Sequence, residues 1–211
     1  MHFRTGQLSA LCSVTVLAFL LVNSLCFAAK TREKDLSERY RKWLAQEVVY
    51  IITNEEKQAF LNLDSDEARD KFIEQFWEIR NPAPGAPTNP YKEEIYRRIQ
   101  YANEWFGKES GTEGWRTDMG RVYITLGEPK QRAKYLGAAN VRPMEIWFYS
   151  SAHPALPPFF SVVFYQREAG GAFRLYSPYM DGPTKLISSA STEGDRVASL
   201  KVIDKELGRE V

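Results

Sequence analysis

The sequence predicts an α+β fold in which N-terminal amphipathic helices pack on a small antiparallel sheet of about four strands. Apolar residues recur at helical spacing from Leu36 to Phe106, whereas after Gly107 they form short runs typical of strands. The connections between these later runs are short, which permits antiparallel pairing but not parallel crossovers. The helical part is rich in aromatic residues, so we expect it to cover the inner face of the sheet.

The composition is that of an ordinary folded protein. The chain has 211 residues, of which 44% are hydrophobic and 26% are charged, and its formal net charge is +1. This composition excludes disordered, collagen-like and multi-span membrane proteins. The near-zero charge gives no reason to expect a nucleic-acid partner, because proteins that bind nucleic acids usually carry a strong basic excess.

Residues 1–28 have the three-part order of a secretory signal peptide. Arg4 provides the positive charge, residues 8–22 are apolar, and residues 23–29 are mostly small or weakly polar. We expect cleavage after Ala28, because this places small side chains at the two positions where the cleavage site requires them. The mature protein is therefore expected to be periplasmic or secreted.

An uncleaved N-terminal helix that anchors the protein is the alternative interpretation. Residues 8–29 form a stretch of 22 residues, which is just long enough to span a bilayer. Asn23 and several small or hydroxyl residues weaken this hypothesis. After cleavage we expect no membrane span, and the expected partner is another envelope protein or a cell-envelope component.

Export narrows the chemistry available to the mature chain. Cys12 and Cys26 both lie in the segment expected to be removed, so we expect no disulfide, no thiolate nucleophile and no cysteine-ligated zinc. His153 is then the single histidine, and a lone histidine in a proline-containing loop is usually solvated. The sequence therefore predicts neither a metal site nor a cofactor.

Capping residues predict three helix starts in the first half of the mature chain. We expect helices to end before Pro82 and at Gly107, because the residue before a proline avoids helical geometry and glycine favours helix ends. The β-branched segment 48–52 fits either a strand or a buried helix end. The three starts are indicated by Thr53 with Glu56, by Asp64 with Glu67, and by Asn89 before Pro90.

Four strands are predicted after Gly107, each a short run bounded by turn residues. Gly170-Gly171 indicates a hairpin turn before the last of them. Residues 178–211 are mostly polar and are expected to form a tail, in which apolar spacing from Val197 to Leu207 indicates one short helix. The predicted strands are residues 121–126 (RVYITL), 145–149 (EIWFY), 159–166 (FFSVVFYQ) and 173–176 (FRLY).

Residues 114–118 read Gly-Trp-Arg-Thr-Asp and are followed by GRVYI at 120–124 and GEP at 127–129. This segment resembles the signature of GWxTD domain-containing proteins, and residues 76–82 (FWEIRNP) and 96–103 (YRRIQYAN) resemble the helical part of that family. The resemblance implies one domain over residues 36–177, preceded by a charged linker at 29–35. The family consists of exported bacterial proteins without an established activity, so the resemblance implies no reaction.

The motif residues Gly114, Trp115, Thr117 and Asp118 have two interpretations. A tryptophan face beside a hydroxyl, a carboxylate and an arginine suits a sugar or a peptide terminus. The structural interpretation is a clasp between helices and sheet, in which Gly114 permits an unusual backbone geometry, Trp115 fills the seam, and the Thr117 and Asp118 oxygens hold the turn. We favour the clasp because the motif lies where the helical period ends.

Other candidate site residues are charged. Five arginines are candidates for an anion pocket near Asp118 and Glu78, although such residues more often form ion pairs on helix surfaces. A carboxylate pair for glycoside-type acid–base chemistry would have to come from six acidic residues, and their spacing singles out no two of them. The arginines are Arg80, Arg97, Arg98, Arg116 and Arg121; the acidic residues are Glu74, Glu78, Glu93, Glu94, Asp118 and Glu145.

Two classes of function remain open. The favoured one is a non-catalytic envelope protein whose domain binds another protein or a cell-envelope component. The alternative is a carboxylate-dependent hydrolase that acts on glycans or peptides, because two converging carboxylates are the chemistry that remains without cysteine and with one histidine. A structure that lacks such a pair in a cleft would favour binding.

The signal-peptide hypothesis is testable on the native protein. We expect N-terminal sequencing of the exported form to begin near Ala29, because cleavage after Ala28 satisfies the small-residue rule. Recovery of an intact Met1 in the membrane fraction would instead support the uncleaved anchor.

Overall fold

The computed structural model describes residues 33–108, 110–151, 153–168, 170–188 and 195–207. The predicted signal peptide lies outside these ranges. Within them, no helix combines the length and the apolar character needed to cross a membrane. The chain divides into two compact units, unit 1 ending at Pro84 and unit 2 beginning at Gly85, and each is described separately below.

Unit 1 is helical. The chain does not form a strand at residues 48–52; it turns there, and the backbone N–H of Ile51 donates to the Val48 carbonyl at 2.9 Å. This settles the ambiguity of that segment in favour of a helix end. The helices are α1 (Glu38–Lys42), which continues as a π-helix (Trp43–Glu47), α2 (Asn54–Leu61) and α3 (Asp66–Ile79).

One of the two predicted capping boxes is confirmed. The Thr53 hydroxyl accepts from the Glu56 N–H, and the Glu56 carboxylate accepts from the Thr53 N–H at 2.9 Å. The Asp64 box is wrong, because Ser65 is the N-cap and accepts from the Ala68 N–H at 3.2 Å. The helix therefore starts one residue later than predicted, with its acidic residues in the first turn, where they favour the helix dipole.

Aromatic packing around Trp43 forms the core of unit 1. The Trp43 ring lies 4.8 Å from Phe60 and 5.3 Å from Phe76, measured between centroids, and all three side chains are buried. An ion pair connects α2 with the end of α3: the Arg80 guanidinium lies 2.8 Å from the Glu56 carboxylate. Large aromatic side chains bury much apolar surface each, so three helices suffice to enclose a core.

Unit 2 contains two helices, a four-stranded sheet and a final helix. It also has two 3₁₀ turns, Gly114–Arg116 and Pro183–Leu186. Asn89 caps the helix that begins at Pro90, and Pro90 occupies its first turn, as predicted. The elements are α4 (Pro90–Trp105), α5 (Asp118–Leu126), β1 (Gln131–Tyr135), β2 (Met144–Ser150), β3 (Phe159–Gln166), β4 (Phe173–Leu175) and α6 (Arg196–Leu207).

The strand predicted at residues 121–126 is wrong, because this segment belongs to helix α5. The Thr117 hydroxyl accepts from the Gly120 N–H at 2.9 Å and caps the helix, while Asp118 stands in its first turn. Val122 and Tyr123 are buried against the sheet, so tertiary packing overrides the strand preference of the β-branched residues.

The sheet is antiparallel, with strand order β1-β2-β3-β4. The three predicted strands from residue 145 onward are confirmed to within one residue at each end. The first position is taken by β1, which the sequence analysis did not predict. In this register Arg132 lies opposite Trp147, and Lys134 lies opposite Glu145.

Both faces of the sheet are covered. On one face Trp147 and Phe164 pack with Tyr123 of α5. On the other face Met144 and Ile146 pack with the segment after β4, which the sequence indicates to be a polar tail. That segment instead completes the second core cluster of unit 2 with four buried apolar residues, Leu186, Ile187, Ile203 and Leu207.

The contribution of α6 can be measured with two substitutions on the same helix. Ile203→Ala should lower the free energy of unfolding by about 2–5 kcal/mol, the range for truncating a buried aliphatic side chain. Leu200→Ala, at a side chain that is 46% exposed, should change it by less than about 0.5 kcal/mol. Urea unfolding of both variants beside the parent provides the comparison; equal midpoints would contradict the packing of α6 on the sheet.

Candidate functional site

The motif at residues 114–118 brings three backbone segments of unit 2 into direct contact. A Cβ atom added to Gly114 would lie 1.8 Å from the Ala102 carbonyl oxygen of α4. A Cβ added to Gly120 would lie 2.0 Å from the Gly114 carbonyl oxygen. No side chain fits at either position, so the two glycines allow α4, the 3₁₀ turn and α5 to stack on one another.

Polar groups of the same motif hold this contact in place. The Trp115 N–H donates to the Asn103 side-chain oxygen at 3.0 Å, and the Thr117 hydroxyl donates to the Gly114 carbonyl at 2.7 Å. The Asp118 carboxylate accepts from the backbone N–H of Leu175 in β4 at 2.8 Å. Trp115 itself is buried. These bonds join α4 to the 3₁₀ turn, and α5 to the edge strand β4.

A pocket of about 380 Å³ opens beside the 114–118 motif, over one end of the sheet. Thr117 and Met119 bring the amino-terminal end of α5 to its wall, and Trp105 and Leu136, both more than half exposed, contribute at its margin. Its main apolar residues are Trp105, Phe106, Met119, Leu136 and Phe173, and its polar residues include Thr117, Arg132, Lys134, Glu145 and Gln166. The volume suits a small ligand with one apolar part.

Arg132 is the most unusual group in this pocket. Its guanidinium carbon lies 4.6 Å from the centroid of the Trp147 ring and within 5.8 Å of three further rings. We call these four residues the aromatic cage: Tyr101, Phe106, Tyr123 and Trp147. Nη1 makes a long hydrogen bond of 3.4 Å to the Tyr101 hydroxyl, and Nη2 is buried without a hydrogen-bond partner among the described residues.

The cage explains how a guanidinium is tolerated there, but it does not satisfy the Nη2 donor. Ring faces attract a cation, and this attraction is stronger where water is excluded. A buried N–H group without a hydrogen bond nevertheless costs free energy. Arg132 is thus held in place by the rings, and one of its N–H donors has no hydrogen-bond partner among the described residues.

Glu145 is the acidic group of the pocket. It is 5% exposed, and one carboxylate oxygen accepts from the Trp147 indole N–H at 2.7 Å. The other oxygen lies 3.7 Å from the Lys134 ammonium, whose side chain is 58% exposed. The carboxylate is therefore anchored by one short bond, whereas its ion pair is long and largely solvated.

The five candidate arginines each have a carboxylate partner. Arg80 pairs with Glu56 in unit 1, and the other four pair within unit 2. None of the five lines the pocket described above. The pairs in unit 2 are Arg97 and Arg98 with Glu94, Arg116 with Glu113, and Arg121 with Asp118.

Glu94 has the largest carboxylate pKa change of the candidate residues. The hydrogen bond from Arg97 lowers the pKa most, burial acts against it, and Arg98 adds to the lowering, so that the pKa falls from 4.5 to about 2. Arg98 also donates to the Ile124 carbonyl at 3.1 Å near the end of α5. This network braces α4 against α5, and the lowered pKa keeps Glu94 ionised at pH values below its ordinary pKa of 4.5.

The candidate carboxylates do not converge in the pocket. Glu74, Glu78 and Glu93 are exposed, and Asp118 is engaged by Arg121 and Leu175. Among the described residues that line the pocket, Glu145 is the single carboxylate. His153 is exposed and accepts from the Ala155 N–H. Within the described part of the chain, no three His, Cys, Asp or Glu side chains are grouped as metal ligands would be.

Sequence reasoning identified Glu145 as a candidate but missed Arg132 and Lys134. Both lie in β1, whose sequence QRAKY has no hydrophobic run, and residues 121–126 had been assigned as the first strand. The available signal was the alternation of two basic residues with Ala133 and Tyr135. That period-two pattern is weak in a segment of five residues.

Comparison with known proteins identifies one family. The family model described as the GWxTD domain matches residues 32–171, about two thirds of the chain. Neither the curated proteins nor the solved structures compared with the chain give a significant match. The matched range includes the 114–118 motif and ends before β4 and α6.

The backbone contact at Gly114 can be tested with alanine. Gly114→Ala should lower the free energy of unfolding by about 3 kcal/mol or more, because the new methyl group meets a helix carbonyl and not a movable side chain. Gly137→Ala is the control, since a Cβ there has no atom within 4 Å, and it should change stability by less than about 0.5 kcal/mol. Chemical denaturation measures both; similar midpoints would disprove the contact.

Proposed function

The chain belongs to the GWxTD domain family, and we propose that it is an exported, non-catalytic binding module whose pocket in unit 2 holds an anionic ligand. The observation that carries this proposal is Arg132, whose side chain lines the pocket and whose Nη2 has no hydrogen-bond partner in the described ranges. Carboxylates and phosphates are the groups that a guanidinium binds best, because its N–H groups match their oxygens in pairs.

The surroundings of Arg132 support an anionic ligand with an apolar part. Arg132 and Lys134 carry two positive charges on one wall, against the single negative charge of Glu145. Apolar side chains opposite these groups suit a hydrocarbon or aromatic portion of the ligand.

Binding is favoured over hydrolysis by the acidic residues of the pocket. Glycoside hydrolysis by a carboxylate pair requires two carboxyl groups that flank one bond. Glu145 alone lines the pocket among the described acidic residues, and one of its oxygens is engaged by Trp147. This supports recognition of a ligand by fixed charges and not general acid–base chemistry.

Export and the envelope partner belong to the same proposal. The order of charge, apolar segment and small residues in residues 1–28 supports export to the periplasm or beyond. The ligand would then be part of an envelope protein or of a cell-envelope component that presents an acidic group.

Calorimetric titration with 3-phenylpropionate tests the pocket, with 3-phenylpropanamide as the uncharged analogue. The parent should bind the acid in preference to the amide. Arg132→Gln should weaken binding of the acid about 10- to 100-fold, the loss expected for a hydrogen bond to a charged group.

Arg174→Gln is the matched control, because Arg174 is an exposed strand arginine that does not line the pocket. It should leave the affinity unchanged. The role of Arg132 would be refuted if the parent bound 3-phenylpropionate and 3-phenylpropanamide with equal affinity. It would also be refuted if Arg132→Gln and Arg174→Gln lost the same affinity for 3-phenylpropionate.

A further inference from the structure

We infer that the pocket of unit 2 recognises a zwitterionic α-amino-acid centre, with its carboxylate on Arg132 and its ammonium on Glu145. The inference rests on the proposed function, which assigns the anionic group of the ligand. It adds a second charged group of the ligand, the ammonium, and places it on Glu145. The two groups together define the chemical class of the ligand.

Glu145 provides the reason to expect a cation on the ligand. A carboxylate that is 5% exposed is stable as an ion only where hydrogen bonds or a cation compensate for lost water. The Trp147 indole supplies one short bond of 2.7 Å. The Lys134 ammonium stays 3.7 Å away on a mostly exposed side chain, so a ligand ammonium can take its place at small cost.

The sheet register places Arg132 and Glu145 on the same face as diagonal neighbours. Arg132 lies opposite Trp147, and Glu145 precedes Trp147 by two residues. The backbones of such neighbours are roughly 7–8 Å apart, and both side chains line the pocket. Arg132 and Glu145 form no ion pair with each other in the described structure, where Glu145 pairs with Lys134.

A group with an ammonium and a carboxylate on one carbon offers a partner to each of them. Its carboxylate would accept hydrogen bonds from Arg132 and its ammonium would donate to Glu145, each over about 2.8–3.0 Å. The remaining substituent of that carbon would meet the apolar residues Phe106, Met119 and Phe173. An apolar side chain is therefore expected on the bound amino acid.

This geometry discriminates against ordinary peptide ends. A peptide C-terminus carries the carboxylate without the ammonium, and an N-terminus carries the reverse. The complete centre occurs in free amino acids and in amino acids attached to another molecule through their side chain. L-phenylalanine and Nε-acetyl-L-lysine represent these two sources.

The test compares L-phenylalanine with 3-phenylpropionate, which differs from it by lacking the ammonium. Titration calorimetry of the full mature chain should give an affinity for L-phenylalanine that is roughly 10-fold or more higher. In Glu145→Gln this preference should disappear, while binding of 3-phenylpropionate persists and shows that the pocket is folded. The glutamine oxygen can still accept from the Trp147 indole.

We expect Lys134→Met to change ligand preference, an effect that a purely structural role of Glu145 would not produce. Removing the competing ammonium should increase the preference for L-phenylalanine over 3-phenylpropionate, because Glu145 then lacks its own cation. Tighter binding of L-phenylalanine than of Nε-acetyl-L-lysine would support a free amino acid as ligand. The reverse order would support a side-chain-linked one.

The outcomes separate this inference from the proposed function. Equal affinity of the parent for L-phenylalanine and 3-phenylpropionate overturns the zwitterion inference and leaves the anion pocket intact. A preference for L-phenylalanine that survives in Glu145→Gln overturns the placement of the ammonium. Absence of binding by all three probes overturns both proposals.

Discussion

The close contact between the Gly114 backbone and the Ala102 carbonyl is the constraint on which unit 2 depends. It fixes the distance between α4 and the turn that begins α5, and Gly120 repeats the same close approach one turn later. With the helices held so near each other, the Tyr101 and Tyr123 rings stack at 4.5 Å and reach the sheet together. The aromatic cage around Arg132 therefore exists because two glycines exclude side chains elsewhere.

This relation unites the two interpretations of the 114–118 motif. Trp115 is buried and Asp118 is engaged with β4, so these two residues contribute to the fold. Thr117 caps α5 and also lines the pocket. A motif that positions a helix end at a pocket wall serves structure directly and the site indirectly. Sequence alone cannot separate the two roles, because both require the same residue types at the same spacing.

The sequence predicted those elements whose local signals agree with their environment. Strands β2 and β3 are apolar runs; β2 is mostly buried, and β3 is buried in its last three residues. The Thr53 cap has its reciprocal partner at Glu56. Helix α5 was missed because its β-branched residues favour a strand, and the decisive cap at Thr117 was assigned to a turn. Strand β1 is polar and short, so its contribution to the site depends on pairing with β2, which no local pattern shows.

The Nη2 donor of Arg132 connects stability to function. Buried donors without partners are rare in folded proteins because each costs on the order of 1–3 kcal/mol. The cation–π contacts of the cage offset part of this cost, since a desolvated guanidinium over a tryptophan ring gains about 2 kcal/mol. In the proposed complex, an oxygen of the ligand recovers the rest of this free energy by accepting a hydrogen bond from Arg132. A ligand that binds the folded state alone then stabilises it in proportion to the logarithm of its concentration over Kd. Under the proposed function, the polar group that costs stability in the folded chain is thus the one that makes binding selective for an anion.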